Sequence, residues 1–491
     1  MDVNADTVTT PPEVSVVIPA YGSAEALRQC LESLARYVPK SCNLWIVDDA
    51  TPDDSIRKTY DEMRHRFPRL NYHRNEENLG FVKTCNLAFR QLRNPGTDLL
   101  LLNSDTRVTK GFLQEMQDVL YLHDRHGVVT PRSNNATTFS IPWNGGLLSA
   151  PESFRVWKRI RRLLPRYQVM PTAVGFCMLI KAEVLDRFGL FDDAYSPGYN
   201  EENDFVCRIN RYGYSAVAAN QAYVFHFEKS SFGDRRESLE SAHHEVLVGR
   251  YPEYDSKLTY YCRFVVDPVE FFAHLYARHR PRILFDFFDW PAPGPASSGS
   301  LLHLFREASR LLEPDVDVVA GFRESQTFFA RELSGNPSHS DSSGTGIPFD
   351  LVFRPSQIFT WDEFRTMNRL GARVSYVSLG TINVRSDYLN SPERYLLFRK
   401  AAELSDCVFA SNGFARSDFM AFYGTDAPMR LIQHGNGMDA ISEPGEAVDG
   451  GQHAAEQYAC AFREILAADV DVVKLRSRWD TIRLLDSSNS H

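Results

Sequence analysis

The stretch Asp98–Asp105, DLLLLNSD, places four consecutive leucines before an asparagine and an aspartate. An apolar run of this length is typical of a strand buried on both faces of a parallel sheet. Asn103 and Asp105 stand two residues apart, so their side chains leave the strand end on the same side. Carboxylate oxygens at a strand end suit a hard divalent cation that bridges a diphosphate. The alternative is a turn capped by Asn-x-Asp, and this stretch alone does not decide between them.

The flanking sequence alternates predicted strands with predicted helices. Beyond Phe112 the pattern is mixed and includes an apolar strand at AVGFCMLI (173–180). Up to Phe112, strands predicted at VSVVI (14–18, ended by Pro19), LWIVDD (44–49) and LNYHRN (70–75) alternate with helices at AEALRQCLESLARY (24–37) and 81–92. This alternation predicts a parallel, right-handed α/β sheet. Ligands of such sheets bind beyond the carboxyl ends of the strands, which is where Tyr21, Asp48 and Asp49 also fall.

Two further polar segments follow predicted strands. In VDDATPDD (47–54) the acids either cap a turn or accept hydrogen bonds from a nucleotide base or ribose. In NEENLGFVKTCN (75–86), Asn78 or Gly80 can open a helix whose free N–H groups favour a nearby anion.

GYNEENDFVCR (198–208) crowds Glu201, Glu202 and Asp204 into the start of a predicted helix. A helix dipole tolerates such carboxylates, so they are either a solvated capping cluster or groups that face a substrate or a cation. Downstream, AYVFHFE carries His226 on a strand. That histidine is either packed in the core or a metal ligand that complements Asp105.

The bulk composition limits the function classes. A chain of 491 residues predicts two to three domains, and its formal charge of −9 argues against a general nucleic-acid binder. Eight scattered cysteines predict reduced thiols in a cytoplasmic protein, and the polar N-terminus predicts no secretory signal. No run of 18 apolar residues occurs, which leaves peripheral membrane attachment open. The basic stretch PESFRVWKRIRRLLPR (151–166) is either a solvated helix face or a surface for an anionic membrane or polyanionic acceptor.

Taken in order, the motifs between Val14 and Gly233 resemble those of glycosyltransferase family 2, the inverting enzymes with a GT-A fold. The resemblance implies a nucleotide-diphosphate sugar (UDP-, dTDP- or GDP-linked) as donor and Mn²⁺ or Mg²⁺ as cofactor. By motif it places Pro19, Tyr21, Asp49 and Asn78 around the nucleoside. With the neighbouring polar positions, the candidate donor-binding residues are Pro19, Tyr21, Asp48, Asp49, Asn78, Gly80, Asn103 and Ser104. Asn103-Ser104-Asp105 stands where the family has its DxD motif, so only Asp105 can be a carboxylate ligand there. His226 matches the family's later metal-binding histidine.

The same resemblance assigns the acidic segment. Glu202 takes the position of the catalytic base, with Glu201 and Asp204 on the acceptor side and Asp204 mainly structural. An inverting transfer needs a base that takes the proton of the acceptor hydroxyl as the sugar carbon is attacked.

The second half predicts another α/β unit. The expected organisation is a disordered tail (1–12), a GT-A domain (13–262), a helical connector (263–281) and a Rossmann-like domain (282–491). The stretch from Arg399 to Asp439 resembles the end of the N-terminal half of a family 4 GT-B glycosyltransferase, too short for the donor domain that follows there. We therefore expect this unit to be catalytically silent and to serve acceptor positioning or association, including a homo-oligomer.

Together these features predict a metal-dependent inverting glycosyltransferase of surface polysaccharide or glycolipid assembly, acting on a glycan or lipid-linked glycan. Rhamnosyl transfer is one option among several hexosyl donors. The alternative is a non-catalytic scaffold that binds a nucleotide sugar, which the missing DxD aspartate favours. A sugar nucleotidyltransferase would need a Gly-rich, basic N-terminal loop that the sequence lacks.

Overall fold

The computed structural model describes residues 12–144, 146, 148–227, 236–288, 295–323, 325–333, 338–340, 348–378, 381, 391–410, 412–423, 429–432 and 447–488. The chain divides into two compact units, Met1–Ala273 and His274–His491. The predicted tail 1–12 lies outside the described residues except for Pro12. None of the described helices combines the length and the apolar character that crossing a bilayer requires.

The first unit is built on one mixed sheet. Its strands are β1 (Val14–Ala20), β2 (Asn43–Asp48), β3 (Leu70–Arg74), β4 (Asp98–Leu102), β5 (Thr106–Val108), β6 (His126–Arg132), β7 (Tyr167–Met170), β8 (Cys177–Ile180) and β9 (Ser215–His226). Their order is β3-β2-β1-β4-β8-β6-β9-β5, with β7 paired to β9. Strands β1 to β4 pair in parallel, whereas β8 runs antiparallel to both β4 and β6. The expected parallel sheet is present in β1 to β4. Beyond Phe112 the sheet is mixed, since β8 is antiparallel to its neighbours whereas β6 and β9 pair in parallel.

Helices cover the sheet of the first unit. They are α1 (Ala24–Tyr37), α2 (Ser55–Met63), α3 (Gly80–Leu87), α4 (Phe112–Tyr121), α5 (Ala150–Ile160), α6 (Ala182–Phe188), α7 (Glu201–Asn210), α8 (Arg236–Arg250), α9 (Tyr254–Phe264) and α10 (Pro268–Ala277), the last of which spans the division between the units. Val16 and Leu100 face one apolar core, whereas their neighbours Val17 and Leu101 face another. Because successive strand residues point to opposite faces, continuous apolar runs are what a sheet with a core on each side requires.

The second unit contains a seven-stranded sheet, parallel throughout, of order β12-β11-β10-β13-β14-β15-β16. Its strands are β10 (Arg282–Asp286), β11 (Asp317–Phe322), β12 (Ser338–Ser340), β13 (Leu351–Arg354), β14 (Val374–Ser378), β15 (Cys407–Ala410) and β16 (Met429–Leu431). Its helices are α11 (Pro295–Leu312), α12 (Thr327–Glu332), α13 (Trp361–Leu370), α14 (Pro392–Leu404), α15 (Gly413–Tyr423), α16 (Ala447–Ala467) and α17 (Val472–Ser488). This arrangement is the second α/β domain that the sequence predicts.

Three local predictions differ from the structure. Strand β1 continues through Pro19, which is tolerated because β1 pairs only with β2 beyond Val17. Strand β8 begins at Cys177 rather than at Ala173, so the preceding residues form a loop. The composition of SGNPSHSDSSGTG (334–346) predicts an exposed loop, whereas its residues 338–340 pair with β11; the rest of this segment lies outside the described residues.

Candidate active site

Asp105 and His226 meet at one end of the sheet. Strand β5 pairs antiparallel with β9, with Thr106 opposite His226, so Asp105 lies directly beside the histidine. Its Oδ1 atom lies 3.6 Å from His226 Nε2. The same Oδ1 is buried and has no hydrogen-bond partner. A buried carboxylate oxygen without a partner is costly unless a ligand completes the site.

The imidazole of His226 is fixed in one orientation. Its Nδ1 lies 2.7 Å from the Asn135 carbonyl oxygen, which can only accept, so Nδ1 carries the proton and Nε2 faces Asp105. The side chain of Asn134 bonds both the backbone N–H and the carbonyl of His226, and the Phe176 ring stacks on the imidazole at 5.1 Å. Backbone anchoring of the second ring nitrogen is the usual support of a metal-binding histidine.

This donor set fits a divalent cation. One carboxylate and one imidazole suit Mn²⁺ or Mg²⁺, which keep further positions for phosphate oxygens and water. Within the described ranges no group of three or more His, Cys, Asp and Glu side chains is arranged to hold a metal ion. The pair Asp105 and His226 would therefore depend on the substrate to complete the coordination.

Asn103 and Ser104 form the turn that leads to Asp105. The Asn103 N–H donates to the Phe176 carbonyl at 2.8 Å, and the Asn103 carbonyl accepts the Thr106 hydroxyl at 2.7 Å. Both Asn103 and Ser104 are half-buried. Backbone bonds thus fix the turn that leads to Asp105.

The acidic segment opens α7. Tyr199 and Asn200 both adopt left-handed backbone conformations, with φ of 77° and 68°, immediately before Glu201. Glu201 is buried at 5% exposure and its Oε2 has no hydrogen-bond partner, whereas Glu202 is half-buried. The two glutamates therefore differ in their access to solvent, although they are adjacent in sequence.

Burial changes the protonation of both glutamates. Desolvation, together with the charge of Glu202, raises the pKa of Glu201 well above its usual value. Desolvation, with a smaller contribution from Glu240, raises the pKa of Glu202 to about 7. A carboxylic acid held neutral beside one that titrates near neutrality is the arrangement that general acid–base chemistry uses.

Asp204 faces the protein interior. It is 1% exposed, and its carboxylate lies 3.1 Å from Arg250 Nη1 and 3.5 Å from Arg208 Nε. The Tyr195 hydroxyl also donates to it at 3.3 Å. These contacts hold the Asp204 carboxylate inside the first unit, and its predicted place on the acceptor side stays a prediction.

The loop before β8 connects the acidic segment to the metal pair. A Cβ placed on Gly175 would lie 4.0 Å from Glu201 Oε1 and 3.9 Å from the Phe81 ring. The next residue, Phe176, bonds Asn103 and stacks on His226. Gly175 therefore lies near Glu201, while Phe176 contacts His226, so Glu201 and the candidate metal ligands lie along the same loop of the first unit.

Residues 15–189 match the sequence model of Glycosyl transferase family 2. The first unit carries a family 2 glycosyltransferase domain. Uncharacterised proteins of Mycobacterium bovis and Mycobacterium tuberculosis are each 25% identical to the chain over 231 residues, which is 45% of this chain and 78% of theirs. The suggested likeness of the second half to family 4 stays a prediction.

Two solved structures are also similar to part of the chain. A mannosyltransferase of Pyrobaculum calidifontis, solved with GDP-mannose and Mn²⁺, has a TM-score of 0.39 and 16% identity, covering 55% of this chain and 74% of its own. TarS of S. aureus, residues 1–349 with UDP-GlcNAc, has a TM-score of 0.34 and 16% identity, covering 54% and 80%.

Within the glycosyltransferase domain, Asp48 fixes the turn after β2. It is fully buried; Oδ1 accepts the Thr51 N–H at 2.9 Å, and Oδ2 accepts the Tyr72 hydroxyl at 2.7 Å and Arg74 Nη1 at 2.6 Å. Both oxygens therefore have protein partners, which corresponds to the turn-capping alternative left open by the sequence.

Asp49 caps α3. Its Oδ1 accepts the Leu79 N–H at 2.8 Å and its Oδ2 accepts the Gly80 N–H at 2.9 Å, while the Val82 N–H faces the Pro197 carbonyl at 3.3 Å. The anion expected at the start of this helix is thus the carboxylate of Asp49 itself.

The other predicted donor-binding residues lie nearer the surface of the glycosyltransferase domain. Tyr21 is 49% exposed, Asn78 is exposed and Pro19 is half-buried. Sequence reasoning missed Asn75, which is buried and donates to Asp49 Oδ1 at 2.7 Å and to Thr84 Oγ1 at 3.0 Å. Its position at the carboxyl end of β3, in line with the other strand ends, was the available signal.

Proposed function

We propose that the first unit transfers a sugar, with inversion, from a nucleotide-diphosphate sugar to a glycan or lipid-linked glycan. The observation that carries this proposal is the partnerless Asp105 Oδ1 beside His226 Nε2. Glu201, the residue before Glu202, lies near Gly175 in the loop that also contacts His226. The family 2 match supports the reaction class. Surface polysaccharide or glycolipid assembly at the cytoplasmic face of a membrane is the setting that we propose.

Asp105 and His226 would hold Mn²⁺ or Mg²⁺. A cation bound there supplies positive charge for the departing nucleoside diphosphate. Asn135 and Phe176 support the site, because they keep the imidazole oriented without taking its Nε2 atom. Three of the predicted donor contacts remain accessible and would line the donor: Tyr21, Asn78 and the Asn103 side chain.

Glu202 is the proposed catalytic base. Its pKa is raised because it is desolvated and lies near Glu240, so its carboxylate binds a proton more strongly than an exposed glutamate does. It can then accept the proton of the acceptor hydroxyl while the oxygen attacks the anomeric carbon. Glu201, buried and neutral, would face the acceptor side without adding a second negative charge.

The nucleotide and the sugar are open within the proposal. UDP-, dTDP- and GDP-linked donors all fit it, and rhamnosyl transfer is one option. For the second unit we propose a catalytically silent role in positioning the acceptor or in association between chains.

Calorimetry on the full chain tests the metal site. UDP, dTDP and GDP are titrated with and without Mn²⁺, using the native protein, Asp105→Asn and the surface control Asp61→Asn. We expect one nucleotide to bind about tenfold or more tightly with Mn²⁺, a gain lost in Asp105→Asn and retained in Asp61→Asn. Equal affinity with and without Mn²⁺ would contradict the proposed cation site.

Glu202→Gln tests the base, with the exposed Glu77→Gln as control. Removing a positioned base costs about 10²–10⁴-fold in rate, so Glu202→Gln should bind the donor normally and lose transfer. Full transfer by this variant would refute the assignment. Metal-dependent nucleotide binding by the native chain without turnover of any donor would instead favour the scaffold alternative.

A further inference from the structure

The chain enters α7 through two strained residues. Tyr199 and Asn200 are consecutive side-chain-bearing residues with positive φ, and Glu201 and Glu202 follow at once. Asparagine tolerates this conformation better than tyrosine, for which it is a clear outlier. Such conformations persist only when the surrounding structure holds them, and they cluster at functional sites.

Helix α8 holds this pair from outside. His243 is buried, and its Nδ1 donates to the Gly198 carbonyl at 2.8 Å, with the Tyr199 carbonyl at 3.2 Å. Asn200 Nδ2 in turn donates to the Glu240 backbone carbonyl at 3.3 Å. Two residues one turn apart on α8 therefore bond three consecutive residues of the entry loop.

The same helix also anchors the body of α7. Arg250, at the end of α8, lies 3.1 Å from Asp204 Oδ1 and 2.8 Å from Asp192 Oδ2. Asp204 is one helical turn beyond the strained pair. α8 thus fixes both the entry loop and the first turn of α7, which is the segment that carries Glu202.

We propose that α8 is a clamp that keeps Tyr199 and Asn200 left-handed and thereby aims Glu202, with His243 as a positioning residue. The inference rests on the proposed role of Glu202. The physical reason is geometric: if either residue relaxed to negative φ, the chain would enter α7 along a different direction. The side chains of the first turn would then rotate away from the loop at Gly175.

A double-mutant cycle tests the clamp because glycine adopts positive φ without strain. The variants are His243→Ala, His243→Gln, Tyr199→Gly and Tyr199→Gly/His243→Ala in the full chain. His243→Ala should lower kcat about tenfold while the donor KM stays within about twofold, since misaimed groups lose rate rather than ground-state binding. In the Tyr199→Gly background, His243→Ala should lower kcat by less than about threefold. His243→Gln, whose amide can still donate to Gly198, should stay within about threefold of the native rate.

The ionisation of Glu202 provides a readout that needs no substrate. The described ionisable groups that face it are Glu201 on α7, Glu240 on α8 and Tyr254 on α9. With ¹³C-labelled glutamate, the Glu202 carboxyl signal is identified by its loss in Glu202→Gln. The midpoint of its titration should fall in His243→Ala, because a carboxylate that moves out of its half-buried position is better solvated. In Tyr199→Gly/His243→Ala, the Glu202 midpoint should stay near the value in the native protein.

Each result of these two experiments either supports or overturns the proposed clamp. Equal rate losses in the tyrosine and glycine backgrounds, or an unchanged Glu202 midpoint in His243→Ala, would overturn the clamp. If His243→Ala does not fold, Asn200→Ala replaces it, since that change removes the bond to the Glu240 carbonyl, and the same cycle is run. If Glu202→Gln keeps full transfer, the proposed base falls, while the midpoint still reports whether α8 aims the side chain.

Discussion

Replacing Gly80 with alanine should destabilise the first unit strongly. Gly80 has φ of 79°, and a Cβ there would lie 2.6 Å from Pro197 Cβ and 2.9 Å from Pro197 Cα. A left-handed conformation costs an alanine about 1–2 kcal/mol. Forcing a methyl group against backbone adds about 1–3 kcal/mol. The free energy of unfolding should therefore fall by about 2–5 kcal/mol.

Gly22→Ala is the matched control. Gly22 has φ of 83°, but a Cβ there would have no heavy atom within 4 Å. The free energy of unfolding of this variant should therefore fall only by the cost of the left-handed conformation, about 1–2 kcal/mol. The difference between the two variants isolates the contact between the start of α3 and Pro197.

Hydrogen exchange on the full chain measures both changes. The slowest amides of β1 and β4 report the opening free energy of the first unit without interference from the second. Because Pro197 immediately precedes the entry loop of α7, the helix that carries Glu202, Gly80→Ala should also reduce transfer. Equal losses of protection in the two variants would refute the reasoning, since they would mean that Pro197 moves aside at no cost.

Three further changes follow from buried charges. Glu202→Gln should leave stability nearly unchanged at pH 4.5 and raise it by about 1–3 kcal/mol at pH 8. The reason is that the unfolded carboxyl ionises above its ordinary pKa, while the native carboxyl, whose pKa is raised to about 7, stays protonated, so the native protein loses stability between those pH values; equal urea midpoints of the variant and the native protein at both pH values would contradict this. Arg132→Met should destabilise by about 3–5 kcal/mol in urea unfolding, because the fully buried guanidinium donates to Asn220, Thr138 and Gln168, whose oxygens would be left unpaired. Asp204→Asn should destabilise by about 2–4 kcal/mol, since it leaves two arginines without their carboxylate, yet calorimetry should find Mn²⁺ affinity unchanged; reduced affinity would show that its role extends to the metal site.

The sequence predicted the α/β class because the burial of each strand and helix determines its local pattern of apolar residues. The four leucines of β4 alternate between two cores, and a continuous apolar run is the only local pattern that fills both. The same reasoning failed at the ends of elements, where pairing rather than composition decides. Pro19 stays in β1 because the pairing of β1 with β4 has already ended at Val17. Ala173 lies outside β8 although it is as apolar as the residues of that strand.

For the site, the sequence by itself determined which chemical groups are present: Asp105, His226 and the acids at the start of α7. Only the tertiary structure decided which of them have partners. In sequence, Asp48, Asp49 and Asp105 look alike. In the structure, Asp48 and Asp49 accept hydrogen bonds from protein donors, whereas Asp105 Oδ1 accepts none. The contact of His243 with Gly198 likewise joins residues 45 positions apart. Hydrogen-bond satisfaction depends on which distant donors the packed sheet and helices bring within about 3 Å, and local sequence does not carry that information.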